Sequence, residues 1–269
     1  MRRDDAEEAS VLIKRVPLLA AMRSGPLDRN DLQARFELAR TTVYRATVDL
    51  EERRLIERTT DGYELTPEGV AVVESSDRFL ESLRASERLR PLLELVDDPR
   101  LTGSLYAFAD AEVIVADERD PYRPVHWWID ATESVDRLRV LTVSAGRREG
   151  FETTGNRVDD GADVEVVFTP DALTGAHRVA PDIIDAFVRE APGRAFVHPD
   201  LPFTLAIFDD TTAIMGTDER TGIPAVCAVT DAVDAREWAT RVYNQYRREA
   251  EPVTVADLGV EGPDPDATP

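Results

Sequence analysis

A chain of 269 residues, 42% of them hydrophobic, is long enough for two domains that each bury a core without disulfides or metals, since domains run about 100 to 200 residues. A single cysteine, Cys227, excludes a disulfide framework, and no stretch approaches the ~20 apolar residues of a membrane span. The net charge is −21, from 53 acidic and 32 basic residues, and Lys14 is the only lysine, which is the surface expected of a protein kept hydrated in molar salt.

These features, with an acidic rather than apolar run after Met1, predict a cytoplasmic protein of a halophile, with no membrane association. The charge is unevenly spread. Residues 1–64 hold 12 basic and 13 acidic residues, a net −1, and the remainder carries −20. A near-neutral, arginine-rich head on an acidic body is the asymmetry expected if the head alone approaches a polyanion.

In chain order, Val11, Leu12, Val16, Leu19 and Met22 form a helical stripe that Pro17 kinks or restarts and that Gly25 and Pro26 end. Asp28 caps a second helix through Arg35, with Leu32 and Phe36 facing inward. A third helix follows from about Arg40 to Arg54. At about 100° per residue, Ala39, Val43, Ala46, Thr47 and Leu50 fall on its inner side and Thr41, Tyr44, Arg45 and Val48 on its outer side. Two β-prone runs, 55–59 and 62–65, joined through Asp61 and Gly62, predict a hairpin.

Residues 1–66 are thus expected to form one domain. Thr66 and Pro67 open a further helix carrying Val70, Val73, Phe79, Leu80 and Leu83, so 67–99 is expected to be a linker helix, its apolar stripe either a spacer or the seam of a homodimer. From residue 100 the pattern alternates. Strands are predicted at 104–109, 112–115, 138–143, 163–168, 195–198, 204–208, 213–215 and 225–229, and helices at 126–135, 170–189 and 231–250. The fold class is α/β for 100–250 and α+β for the whole chain, with a central sheet. The polar, proline-rich tail, 251–269, is expected to be disordered towards its end.

The helix, helix, hairpin order, with Gly25 to Asp28, Thr41 to Ala46 and Leu50 to Glu57, resembles the winged helix-turn-helix regulators of bacteria and archaea. The resemblance implies that the third helix enters the major groove of double-stranded DNA, about 12 Å wide. Arg45 would bridge a guanine, Thr41 and Thr42 would bond phosphate or bases, Tyr44 would reach the backbone, and Val48 would meet a thymine methyl. Arg40 and Arg58 would hold phosphates, while Asp49 and Glu52 should lie away from the groove.

Residues 201–210, 214–219, 237–239 and 243–247 resemble the middle domain of archaeal regulators named after a methanogenesis regulatory protein, related to TrmB-type effector domains. That resemblance implies sensing of a small-molecule effector or a partner protein. The same stretch resembles a strand of phospholipase D-like folds, which suggests a degenerate relative. Phe203 and Leu205 occupy the positions of the catalytic histidine and lysine, and Asp210 the later aspartate. Asp209 and Asp210 are read as turn residues instead.

The histidines His126, His177 and His198 lack metal-ligand spacing, and no glycine loop cradles phosphate, so neither metal nor cofactor is expected. Tyr122, His126, Trp127 and Trp128 are the candidate ligand residues, because adjacent tryptophans cannot share one core stripe; packing explains them equally well. The sequence points to a non-enzymatic, sequence-specific DNA-binding transcription regulator. The alternatives are a DNA-tethered α/β enzyme acting on a phosphodiester or sugar phosphate, and an adapter whose second domain only oligomerises.

Overall fold

The computed structural model describes residues 3–190, 193–218 and 220–258, which divide into two compact units between 81 and 82. In the first unit, α1 (Arg3–Ile13) precedes α2 (Val16–Ala21), and Pro17 is tolerated because it sits in the first turn, where backbone N–H groups lack helical partners. A short 3-10 turn, Met22–Ser24, ends at Gly25. Asp28 then caps α3 (Arg29–Phe36) reciprocally. Its carboxylate accepts from the N–H of Asn30 at 2.7 Å and of Asp31 at 2.8 Å, while the Asp31 carboxylate accepts from the N–H of Asp28 at 2.9 Å.

The third helix, α4 (Arg40–Glu52), buries Val43, Ala46, Thr47 and Leu50, as expected. Ala39, assigned to the inner side, is instead the exposed N-cap, since it lies in extended backbone before the helical period begins. The hairpin pairs β1 (Ile56–Thr59) with β2 (Gly62–Leu65). Leu27 and Tyr63 exchange backbone hydrogen bonds at 3.0 and 2.9 Å, adding a third short rung beside β2. Helices α2, α3 and α4, the start of the helix after the wing, and the wing itself enclose a core of Leu19, Leu32, Val43, Ala46, Leu50 and Val73.

The segment 67–99, expected as a linker, is shared between the units. In α5 (Pro67–Arg88), Val73 belongs to the first core and Ala85 to a core of the second unit. After it, α6 (Arg90–Leu93) and α7 (Pro99–Thr102) place Leu89, Leu92, Val96 and Leu101 in that second core, so these residues are structural members of the larger unit.

The second unit is a mixed eight-stranded sheet with helices on both faces. Its strands are β3 (Glu112–Val115), β4 (Arg137–Thr142), β5 (Asp163–Phe168), β6 (Ala195–Val197), β7 (Thr204–Phe208), β8 (Thr211–Asp218), β9 (Ile223–Thr230) and β10 (Glu251–Pro252), in spatial order β10-β6-β5-β4-β7-β8-β9-β3. The β6-β5-β4 trio is parallel and the remaining pairs are antiparallel. Between the strands run α8 (Arg123–Thr132), α9 (Arg148–Asp159), α10 (Pro170–Val179), α11 (Pro181–Glu190) and α12 (Val233–Glu249).

Alternate residues feed two cores. Leu141, Val167, Leu205 and Ile207 pack with α12, whereas Leu138, Val140, Val166, Ala206 and Phe208 pack towards α8 to α11. All five residues of β7 are buried, as a strand covered on both faces requires.

Four expectations change. Residues 104–109 were read as a strand but hold a 3-10 turn at Leu105–Phe108, because a short apolar run does not distinguish a buried turn from a buried strand. Helix 170–189 is two helices, broken at Pro181, which lacks the N–H to continue the first. The intervening α9 was not foreseen. Part of the segment from 251 is packed, since β10 pairs with β6 and both Val253 and Leu258 are buried; the end expected to be disordered lies outside the described residues.

Gly62 has φ 137°, and a Cβ there would lie 2.6 Å from the backbone carbonyl carbon of Leu27. Gly62→Ala is therefore expected to destabilise the first unit by about 1–3 kcal/mol, read by thermal unfolding. An unchanged transition would contradict the wing packing.

In the second unit a hydrogen bond from Arg139, with Arg194 and Arg137 nearby, holds the Asp163 carboxyl below its ordinary range against a smaller desolvation effect. A depressed carboxylate contributes stability above the unfolded pKa of about 3.9 and loses it as pH falls through the folded value. Asp163→Asn should flatten the acid limb of the stability curve below about pH 4, and an identical limb in the variant would contradict this.

Candidate nucleic-acid interface and ligand cavity

The outer face of α4 carries Arg40, Thr41, Thr42, Tyr44 and Arg45 exposed, with Val48 half-buried at its edge. Arg58 is exposed on the wing. What separates these arginines from their neighbours is pairing. Arg53 is held by Asp49 at 3.0 Å and Glu8 at 2.7 Å, and Arg23 by Asp77. Arg35, Arg40, Arg45, Arg54 and Arg58 make no ion pair among the described residues. Asp49 is turned back onto Arg53, so its charge is answered within the protein.

Arg29 has a role the sequence did not suggest. Its guanidinium lies 4.6 Å from the centroid of Tyr44 and 5.4 Å from that of Tyr63, and its Nε donates to the Thr47 hydroxyl at 3.0 Å. The hydroxyl in turn donates to the Tyr44 carbonyl at 3.0 Å. One side chain thus ties α4 to the wing and fixes the Tyr44 ring by stacking and hydrogen bonding together. A cation three residues beyond the Gly25–Pro26 stop, between two tyrosines distant in sequence, leaves no local signal.

Of the four candidate ligand residues, the structure brings two to a cavity. Tyr122 and Trp128 line a space of about 270 Å³ between α8, α9 and the sheet, together with Val140, Phe151 and Met215. His126 is exposed, 3.5 Å from Asp120, and does not line it. Trp127 does not line it either. Trp127 and Trp128 both set ring edges against Phe208, at 5.6 and 5.0 Å between centroids, so the two share one aromatic partner while Trp128 alone also lines the cavity. A wider groove of about 610 Å³ lies between α9 and α11, where Arg148 pairs with Asp182 and Glu152.

The positions aligned with phosphodiesterase chemistry are structural. Phe203 and Leu205 are buried, and Phe203 stacks on Trp238 at 6.1 Å. Asp209 (φ 49°) and Asp210 form the two-residue turn from β7 to β8, where Asp209 accepts from the N–H of Arg137 at 2.8 Å and Asp210 pairs with Arg236 at 2.6 Å. Burial, with Glu112 adding to it, pushes the Cys227 thiol up to about 12, leaving it an unreactive core group. Among the described residues no cluster of metal-type side chains occurs and no helix is long and apolar enough to cross a membrane.

Residues 3–88 match the sequence family described as the HVO_A0261 N-terminal domain, and residues 121–249 match the middle domain of the methanogenesis regulatory protein FilR1. No curated protein matches the chain in sequence. Among solved structures, TrmBL2, described as an archaeal chromatin protein with a novel mode of DNA binding, is 17% identical over 87% of this chain and 92% of its own, with a TM-score of 0.42. Nuc, a phospholipase D family member from Salmonella typhimurium, is 13% identical over 54% of this chain and 98% of its own at 0.43, and NucT from Helicobacter pylori 11% over 54% and 99% at 0.45. These scores leave the family to the two sequence matches. With its head and most of its α/β unit so matched, the chain joins an HVO_A0261-type N-terminal domain to a FilR1-type middle domain.

Proposed function

We propose that the chain is a sequence-specific transcription regulator that docks α4 in the major groove of double-stranded DNA and uses its α/β unit to sense a small molecule or a partner. The observation that carries this reading is the unpaired state of the arginines on and around α4. In a chain of net −21, carboxylates are abundant, yet Arg40, Arg45 and Arg58 make no ion pair among the described residues. Left free, they are available to phosphate and to base edges. Thr41, Thr42 and the Tyr44 ring share that face, and Val48 at its margin can meet a thymine methyl.

The chain acts in the cytoplasm of a halophile as a homodimer, a geometry supported by the exposed Phe79, Leu80 and Leu83 along α5. It is not an enzyme. A DNA-tethered phosphodiesterase would need a nucleophile and a phosphate-holding cation where Phe203 and Leu205 fill the core.

Arg45→Ala is expected to cost about 1–3 kcal/mol of operator affinity and to relax preference at one base pair, whereas Arg58→Ala weakens binding evenly across sequences. The measurement is fluorescence anisotropy with a mapped operator and its single-base variants. Unchanged affinity and footprint for Arg45→Ala would overturn the docking face.

A further inference from the structure

The cavity beneath α8 and α9 differs chemically from the rest of this chain. Acidic residues number 53 of 269, yet among the described residues none that lines the cavity is acidic, and the one charged side chain is Arg147. The floor is the sheet face, Leu138, Val140, Val166 and Met215; the walls are Trp128 and Phe151. All are apolar. Polar groups gather at one end, in the loop that follows β4, where the Ser144 hydroxyl has no partner among the described residues and Arg147 stands at the rim.

The guanidinium of Arg147 lies over the Tyr122 ring, 4.5 Å from its centroid, with Nε 3.4 Å from Glu149. Stacking fixes the plane of the fork, and Glu149 engages one edge of it, so the terminal nitrogens remain for an oxygen acceptor. The loop itself is held rigidly. A Cβ on Gly146 would meet the Phe151 ring at 2.8 Å, and one on Gly175 would meet the Ala145 side chain at 2.5 Å.

We propose that this cavity binds a small apolar monocarboxylate, an aryl or medium-chain alkyl acid, with its hydrocarbon body between Trp128, Phe151 and Met215 and its carboxylate on Arg147. The volume sets the size. An apolar cavity of roughly 150 Å³ takes a benzene-sized molecule, so about 270 Å³ suits a ring plus a short chain or a fused bicycle. The charge sets the functional group, because a cationic ligand would face Arg147 with no carboxylate among the described lining residues to answer it, and a sugar would leave its hydroxyls against an apolar floor. This assignment deepens the sensing half of the proposed function and is independent of how α4 meets DNA.

The test is isothermal titration of the full chain in molar KCl with 3-phenylpropionate, 2-naphthoate and octanoate, each beside its primary amide. At least one acid should bind saturably at one site per chain, about tenfold or more tighter than its amide, the difference that one charge-assisted hydrogen bond supplies. Arg147→Gln should bring acid and amide to about the same affinity while leaving the amide unchanged. Gly150 provides a second variant. A Cβ there has only ordinary contact, 3.8 Å from Ile129, so Gly150→Leu keeps the fold, checked by circular dichroism, and fills the space, abolishing binding of both forms.

No saturable binding by any of the three acids, equal affinity for acid and amide in the unaltered chain, or full discrimination retained by Arg147→Gln would each overturn the assignment. Saturable, Arg147-dependent binding upholds it whether or not operator affinity moves. If operator affinity does not move with the acid bound, the cavity stands and the sensing half of the proposed function falls.

Discussion

For a chain of net −21 to dock on a polyanion, as proposed, it must first solve an electrostatic problem, and the placing of its arginines bears on the solution. In the α/β unit, arginine is spent on internal carboxylates. Arg139, Arg148, Arg157, Arg236 and Arg247 each pair with one or two, and Arg247 together with the Tyr243 hydroxyl satisfies Glu165 beneath α12. Burial and the neighbouring Glu165 push the Tyr243 phenol well above its ordinary value, so that the tyrosine donates and does not ionise. In the head, Arg40, Arg45 and Arg58 make no ion pair among the described residues, and Asp49 on α4 is directed to Arg53.

The sheet of the larger unit imposes a second constraint. Covered on both faces, it must satisfy two cores of different kinds. Towards α12 the packing is dense and aromatic, with Trp238 between Phe108, at 5.2 Å, and Phe203. Towards α8 and α9 it is looser, since α9 contributes no fully buried side chain and holds on through half-buried Phe151 and Val158. A helix secured by so few apolar contacts belongs to the low-stability end of a fold, where ligand-responsive elements are found. The cavity opens against that helix.

How much was legible depended on whether a signal was local. The head was readable because Asp28, the α4 period, the turn at Asp61 and Thr66 each constrain their immediate neighbours and agree with one another. The strands of the sheet were readable as apolar runs. The α9 helix was not, because Phe151 and Val158, two hydrophobic residues seven apart among charged and small ones, make no stripe. The cavity was half readable. Tyr122 and Trp128 drew attention as aromatic residues, but Arg147, Phe151 and Met215 reach them only through strand order, which no local pattern encodes. His126 and Trp127 were carried along by adjacency in sequence and not by position in space.

The central claim, that an unpaired arginine face on a polyanionic chain reads bases more than it collects phosphates, is tested most directly by salt. Counterion release weakens ordinary DNA binding with a log–log slope of about −0.9 per neutralised phosphate, and at 1 M salt the Debye length is only ~3 Å. Anisotropy with a mapped operator, with circular dichroism to verify the fold at each point, measures affinity from about 0.2 M to 2 M KCl, across which screening removes the repulsion of the acidic body. The account expects affinity that is flat or rises with salt. A steep, continuous loss while the fold stays intact would contradict it.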